Sequence, residues 1–393
     1  MNFIQSNLLV RQQLAKYSNT DPEDWFLCLR GRDGLAVVYS AIRKIMGYGE
    51  ILTTPYTTIT SINPILYGKL KPTYLDIDRS LLSHAVFPEE KITANVRAIV
   101  MQHTYGIIDD KTRLGVLAYR HRIPLIEDSA HCLTRMARDR NNKIIADISM
   151  HSFGAEKVLT TTKIGGAIYI NPSLKAKNRD LYEEIVNKLL ELKQPKAIQS
   201  FKIQANQGIL SAVNKTSGKT RQNLGTALTK LHLITPNVKL SEQDGNQSAP
   251  LATDEYINEK ILEAFPTLRR NYERRQNNVR LYNETLSSKD FDAITNVDEP
   301  LLAYPIIFSS IGRTNQAYDL LTSEGFFVRR WYSPLLYPGP KSNRKYHYNP
   351  KNTPIAEETC LRVLGLPTDL PTRETQKIIK LLTGIKIEKR IIS

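Results

Sequence analysis

Two short segments hold the residues whose types and spacing can do chemistry. In RIPLIEDSAH, Asp128 stands just past an apolar run, a position that in an open α/β sheet faces the ligand crevice rather than the core. In DISMHSFGAEKVLTTTKIGGAIYIN, Lys157 follows a small-residue turn between the apolar stretch 148–153 and a glycine-containing strand. A lysine in partly apolar surroundings loses proton affinity and can form an imine with an aldehyde. It can then serve as general base and acid. A carboxylate at residue 128 would keep a pyridinium nitrogen protonated, the state in which such a ring draws electrons from a substrate carbon. Taken alone, Asp128 reads as a turn cap and Lys157 as a solvated loop lysine; the pair changes that weighing.

These side chains need a scaffold. Short apolar runs at 50–54, 73–77, 98–102, 123–127 and 167–170 read as strands, with helices at 33–45, 57–67 and 110–121 between them. The alternation predicts an α/β fold with a largely parallel sheet covered by helices. From about 174 to 247 the chain turns polar and rich in Lys, Gln and Asn, which reads as an insertion. A long amphipathic helix is expected from about 254 to 286. A strand at 301–308, a helix at 314–324, the segment FFVRRWY and a helix at 373–382 read as a smaller α+β domain. The expected division is a large domain over 1–253 and a linking helix with the small domain over 254–393.

Composition narrows the class. A chain of 393 residues suits one large domain with a companion. No run approaches the ~20 apolar residues of a spanning helix, so no membrane role is expected. The three cysteines, Cys28, Cys132 and Cys360, are far apart and show no CxxC spacing, which indicates neither a disulfide framework nor a metal site. With no export signal in the N-terminal stretch, a cytoplasmic protein is expected. The net charge of +15 fits a phosphorylated small molecule, nucleic acid or an anionic membrane surface, and does not choose among them. Without a nucleic-acid motif, nucleic acid is the secondary reading.

GRDGLAVVYSAI, LTTPYTTITSINPILYGKLKPTYLDID, HTYG, IPLIEDSAH, DISMHSFGAEK and GGAIYIN, in this order and spacing, resemble the DegT/DnrJ/EryC1/StrS aminotransferases, which act mainly on nucleotide-linked keto sugars. The resemblance covers most of 25–171 and returns from about 250 to 382. It implies the fold-type I architecture of pyridoxal-phosphate transferases. It also implies pyridoxal 5'-phosphate held on Lys157, with Asp128 on the pyridine nitrogen, Ser152 near the phosphate and His131 on the ring hydroxyl side. Gly31, Arg32 and Asp33 fall where the family opens a helix with a phosphate-binding turn, for which free backbone N–H groups and the helix dipole are suited. Asp33 is expected to point away from a phosphate.

Several positions depart from the family. Thr58 replaces a stacking aromatic, leaving Tyr56 as the nearby ring. GNQSAPLATDEY lacks the Asn and Arg pair that reaches a neighbouring subunit, with Asn246 the nearest asparagine. Trp331 stands where histidine is common. Arg329, Arg330, Trp331 and Tyr332 read either as a clamp for a nucleotide diphosphate or as an edge strand with solvated charges. His103 and Tyr105 either border the pocket or pack. The resemblance implies a homodimeric aminotransferase moving an amino group, from glutamate, to a nucleotide-linked keto sugar in amino-sugar or surface polysaccharide synthesis. Two alternatives stand. One is another sugar-modifying reaction on the same cofactor; related dehydratases replace the lysine with histidine, so Lys157 favours transfer. The other is a catalytically weakened binding or regulatory relative.

Overall fold

The computed structural model describes residues 1–79, 82, 89–108, 112–159, 164–214, 238–286, 291–293 and 297–384. Seven strands, β1 (Trp25–Cys28), β2 (Glu50–Thr53), β3 (Lys71–Tyr74), β4 (Val96–Gln102), β5 (Leu125–Asp128), β6 (Ile148–Ser152) and β7 (Gly166–Ile170), form one sheet in the order β1-β7-β6-β5-β4-β2-β3. β7 runs antiparallel to both of its neighbours, whereas the pairings from β6 through β5, β4 and β2 to β3 are parallel. Every residue of β1, β5 and β7 is buried, as expected of strands covered on both faces.

Helices supply that cover: α1 (Phe3–Ser18), α2 (Gly31–Met46), α3 (Ile59–Tyr67), α4 (Thr112–Arg120), α5 (Ser173–Lys177), α6 (Arg179–Leu190) and α7 (Ala197–Asn214). Residue 110, taken as the start of a helix, lies outside the described residues. The polar stretch expected as an insertion begins inside the core. Leu181, Ile185 and Leu189 of α6 are buried, one face at helical spacing, and α6 packs on α2. Within that stretch, 215–237 lie outside the described residues.

A second, three-stranded antiparallel sheet follows: β8 (Phe291–Ala293), β9 (Ala303–Phe308) and β10 (Val363–Pro367), in the order β10-β9-β8. The helix expected over 254–286 is two helices, α8 (Glu255–Ala264) and α9 (Leu268–Thr285), joined by a 3-10 turn at Phe265–Thr267. Pro266 explains the break, since its ring has no N–H to continue the ladder and crowds the preceding turn. α8 packs on α1, so it starts beside the large sheet. α9 is bolted to the small sheet by side chains that reach backbone carbonyls. Arg275 donates to Leu302 O at 2.8 Å, Asn278 to Thr368 O at 2.9 Å and Tyr282 to Pro367 O at 3.0 Å. Three further helices complete this region: α10 (Ile311–Ser323), α11 (Pro354–Cys360) and α12 (Thr372–Thr383).

The junction of β1, α2 and β7 is tight. A side chain at Gly166 would place its first carbon 2.3 Å from Gly31 N and 2.6 Å from Arg30 C, and one at Gly31 would meet Met150 Sδ at 2.4 Å. Glycine is required here because backbone, not movable side chain, is the neighbour at residue 166. In the first turn of α2, Asp33 is 2% exposed and its Oδ2 has no hydrogen-bond partner. Burial raises its pKa to about 6 against the opposing charges of Arg30 and Arg32.

Two outcomes follow from this packing. Gly166→Ala should destabilise the protein by about 2 to 3 kcal/mol in denaturant titration, through overpacking against backbone. For Asp33, a pKa raised by folding means that its contribution is intact in acid and is lost as pH rises through about 6. Asp33→Asn should therefore stabilise the protein by about 3 kcal/mol at neutral pH and by nothing below pH ~4, where the carboxyl is protonated in both states. Equal gains at both pH values would contradict the placement of Asp33.

Candidate active site

Asp128 is the last residue of β5. The chain alternates faces along the strand, so Glu127 and Asp128 point to opposite sides of the sheet. On one side, Asp128 is 5% exposed; its Oδ2 accepts from Ser61 Oγ at 3.0 Å and its Oδ1 from Ala130 N–H at 3.1 Å. Burial raises its pKa, while the Ala130 amide, Lys157 and the Ser61 hydroxyl pull the other way. Ser61, carried on α3, was not singled out in the sequence. Its signal is that it lies one helical turn beyond Thr58, on the segment already suspected of facing the site.

Lys157 lies in the turn after β6. Phe153 N–H bonds Gly165 O at 3.0 Å, and Gly154 N–H donates to Ser152 Oγ at 3.1 Å, which closes the loop that presents the lysine. The side chain is half-buried, with Nζ 5.7 Å from the centre of the Trp331 ring. Burial lowers its pKa to about 8; Asp128 and Glu156 oppose the shift, and Arg329 adds to it. The sequence-based expectation of a lysine with reduced proton affinity thus has a physical cause.

His131 is buried, and its Nδ1 accepts the Tyr105 N–H at 3.0 Å. The proton is therefore on Nε2, which points to the Tyr332 hydroxyl 3.3 Å away. Burial, with Lys157 and Arg329 nearby, holds the pKa well below that of a free histidine, so the ring is neutral. It stacks on Trp331, with centroids 5.3 Å apart and planes at 13°.

The backbone of Trp331 is fixed from two sides. Tyr56 donates its hydroxyl to Trp331 O at 2.7 Å, and Tyr105 donates to the same carbonyl. Tyr56 is fully buried and meets Tyr332 edge-on at 5.5 Å, so its ring helps to hold the 331–332 segment. Thr58 stands at the N-cap of α3. His103 lies behind the site, its Nε2 2.6 Å from Glu127 Oε1. Although burial works against ionisation of Glu127, His103, the Ala137 N–H and the Ser149 hydroxyl outweigh it and lower the pKa. A hydrogen-bonded carboxylate thus braces β5 from the back.

Ser152, Gly31 and Arg32 gather at the start of α2. Ser152 is paired in register with Gly166, and the close approach of Gly166 to Gly31 N sets the serine beside the helix N-terminus. Amides there, with the helix dipole, favour an anion. Asp33 keeps one carboxylate oxygen unbonded in this turn. Arg32 turns its guanidinium to Glu242, 3.1 Å away, and its backbone carbonyl accepts from Gln247 Nε2 at 2.9 Å. Residue 242 escaped the sequence reading because its partner lies more than two hundred positions earlier. Asn246 is exposed. Among the described residues, no three His, Cys, Asp or Glu side chains form a metal cluster.

The DegT/DnrJ/EryC1/StrS aminotransferase family matches residues 28–188. A similar relative is the dTDP-4-amino-4,6-dideoxy-D-glucose transaminase of Shigella dysenteriae, 31% identical over 140 residues that make up 35% of this chain and 38% of the relative. The chain thus spans well under half of that relative's length. A transaminase of the same name from Escherichia coli is 24% identical over 353 residues, 88% of this chain and 82% of the relative. Among solved structures, Helicobacter pylori PseC, an aminotransferase involved in the biosynthesis of pseudoaminic acid, has a TM-score of 0.68 at 17% identity, covering 96% of this chain and 90% of that one. This likeness shows the fold-type I architecture across nearly the whole chain. The segment 28–188 that matches the family contains Asp128, Ser152 and Lys157 in the geometry described, and over that segment the chain is similar to the DegT/DnrJ/EryC1/StrS aminotransferases.

Proposed function

We propose that the protein is a pyridoxal-phosphate aminotransferase that moves an amino group from an amino acid, glutamate being the expected donor, onto a nucleotide-linked keto sugar. The observation that carries this reading is the lysine amine whose pKa burial lowers to about 8, coupled to a buried carboxylate at the end of β5. The residues present fit the cofactor. Lys157 offers an amine that loses its proton far more readily than a solvated lysine, with a pKa of about 8, and Asp128 offers a buried acceptor for a ring nitrogen. The start of α2 with Ser152 offers N–H and hydroxyl donors to a phosphate. When bound, pyridoxal phosphate supplies an electron sink for the carbon that carries the amino group.

The chain's own groups then have defined tasks. Lys157 would hold the cofactor, and its amine would take and return the proton at that carbon. Asp128 would hold the ring nitrogen, whose positive charge would offset the burial that otherwise raises the carboxyl's pKa. Ser61 and the Ala130 amide fix the carboxylate's orientation. His131, neutral and stacked on Trp331, positions a hydrogen-bonding edge without adding charge. The net charge of +15 favours an anionic sugar nucleotide, and the Shigella and Escherichia relatives carry a dTDP-linked sugar in their names. A cytoplasmic homodimer working in amino-sugar or surface polysaccharide synthesis is part of the same proposal. Among the described residues, no helix is long and apolar enough to cross a membrane.

Borohydride treatment of the protein incubated with pyridoxal phosphate should place the cofactor's mass on the peptide that contains Lys157. Lys157→Ala should lose that label and slow the conversion of cofactor to its amino form by on the order of 10²- to 10⁴-fold, with the fold retained by circular dichroism. Asp128→Asn should keep the label but lose on the order of 10²-fold in the same conversion. Labelling spread over surface lysines, or full activity in Lys157→Ala, would refute the reading.

A further inference from the structure

Among the described residues, Arg329 is the arginine with two buried side-chain nitrogens, Nε and Nη1, that have no hydrogen-bond partner. The residue is 7% exposed. Its position is not accidental, because its backbone is pinned to β10 by two bonds with Gly365, at 2.9 and 2.7 Å. Its guanidinium carbon lies 5.1 Å from the centre of the Trp331 ring and 5.0 Å from that of Phe327. The Lys157 amine lies over the same Trp331 ring. A desolvated guanidinium with idle donors is unfavourable unless an anion completes it. Arg275, buried to a similar degree, shows the ordinary solution: its Nη1 donates to Leu302 O and to Thr368 Oγ1, both at 2.8 Å.

The acidic group facing Arg329 is Glu156, whose Oε2 stands 3.7 Å from Nε, beyond hydrogen-bonding distance. Glu156 is partly exposed and immediately precedes Lys157. The arrangement is an open fork with a loosely held carboxylate in front of it.

We infer that Arg329 recognises the carboxylate of the incoming amino donor, and that Glu156 holds that place until the donor arrives. This rests on the aminotransferase reading above. In an α-amino acid the carboxylate is one carbon from the nitrogen that must reach the Lys157 position, so an anchor on the same indole as Lys157 suits it. The diphosphate of a sugar nucleotide would lie a whole sugar ring beyond the reacting carbon. A planar carboxylate also matches the guanidinium fork edge to edge. Donor binding displaces Glu156 and satisfies the nitrogens left unpaired without it.

The test uses the pyridoxal-phosphate-loaded protein with L-glutamate as donor, and 2-oxoglutarate as a binding probe followed by tryptophan fluorescence. Arg329→Gln should still carry the cofactor on Lys157, raise the glutamate KM by roughly 10- to 100-fold, and weaken 2-oxoglutarate binding in parallel. Glu156→Gln should shift the glutamate KM downward, since the competing carboxylate is gone; a purely structural role for Arg329 would not produce this opposite response. An unchanged glutamate KM in Arg329→Gln, a rise confined to the sugar-nucleotide KM, or weaker donor binding in Glu156→Gln would overturn the inference. If the wild type carries no cofactor on Lys157, the broader reading fails, and the fluorescence titration still decides whether Arg329 binds a carboxylate. If the wild type transaminates and Arg329→Gln does so with the same KM, only the present inference fails.

Discussion

Everything at the site depends on taking one amine and one carboxylate out of water together. Burial lowers the proton affinity of Lys157 and raises that of Asp128, while each opposes the other's shift. A charged group in a poorly solvated setting is tolerated only when paired or hydrogen-bonded. The fold meets that demand at Asp128 with Ser61 and the Ala130 amide, and behind the strand with Glu127 held by His103 and Ser149. Two carboxylates one residue apart thus sit on opposite faces of β5 in different environments.

The small sheet matters because it delivers the segment that faces this pair. Residue 329 is bonded to β10, two positions later the Trp331 carbonyl is held by Tyr56 and Tyr105 of the large domain, and Tyr332 packs beside Tyr56 and His131. Gly365 permits this approach, since a side chain there would come within 2.8 Å of the Tyr105 ring. The indole of Trp331 is therefore a shared surface for Lys157, His131 and Arg329.

Much of this was legible in the sequence where the signal is local. Strands β2, β4, β5 and β7 declare themselves as short apolar runs, and Asp128 and Lys157 are recognisable from what precedes them. Strand β1 and the N-terminal helix escape a local reading; the helix packs on both β1 and α8, so its apolar positions are shared between two partners. Pro266 was overlooked inside a strongly helical stretch whose residues stay in the right-handed region on both sides. Long-range pairing was the harder part. Ser61 on Asp128, Glu242 on Arg32 and the two tyrosines on Trp331 are side-chain contacts between distant segments, which no periodicity reports. Arg329 and Trp331 were seen as candidates, but the choice between a solvated edge and a buried recognition element needed the burial and the unpaired nitrogens.

The central claim is that burial makes Lys157 a reactive amine near neutral pH, and the most direct measurement is the pH dependence of its reaction with pyridoxal phosphate in cofactor-free protein. The account predicts a stopped-flow imine-formation rate that reaches half its maximum at about pH 8 and vanishes in Lys157→Ala. A rate that keeps rising toward the range of a solvated lysine, or one that survives in Lys157→Ala, would contradict it.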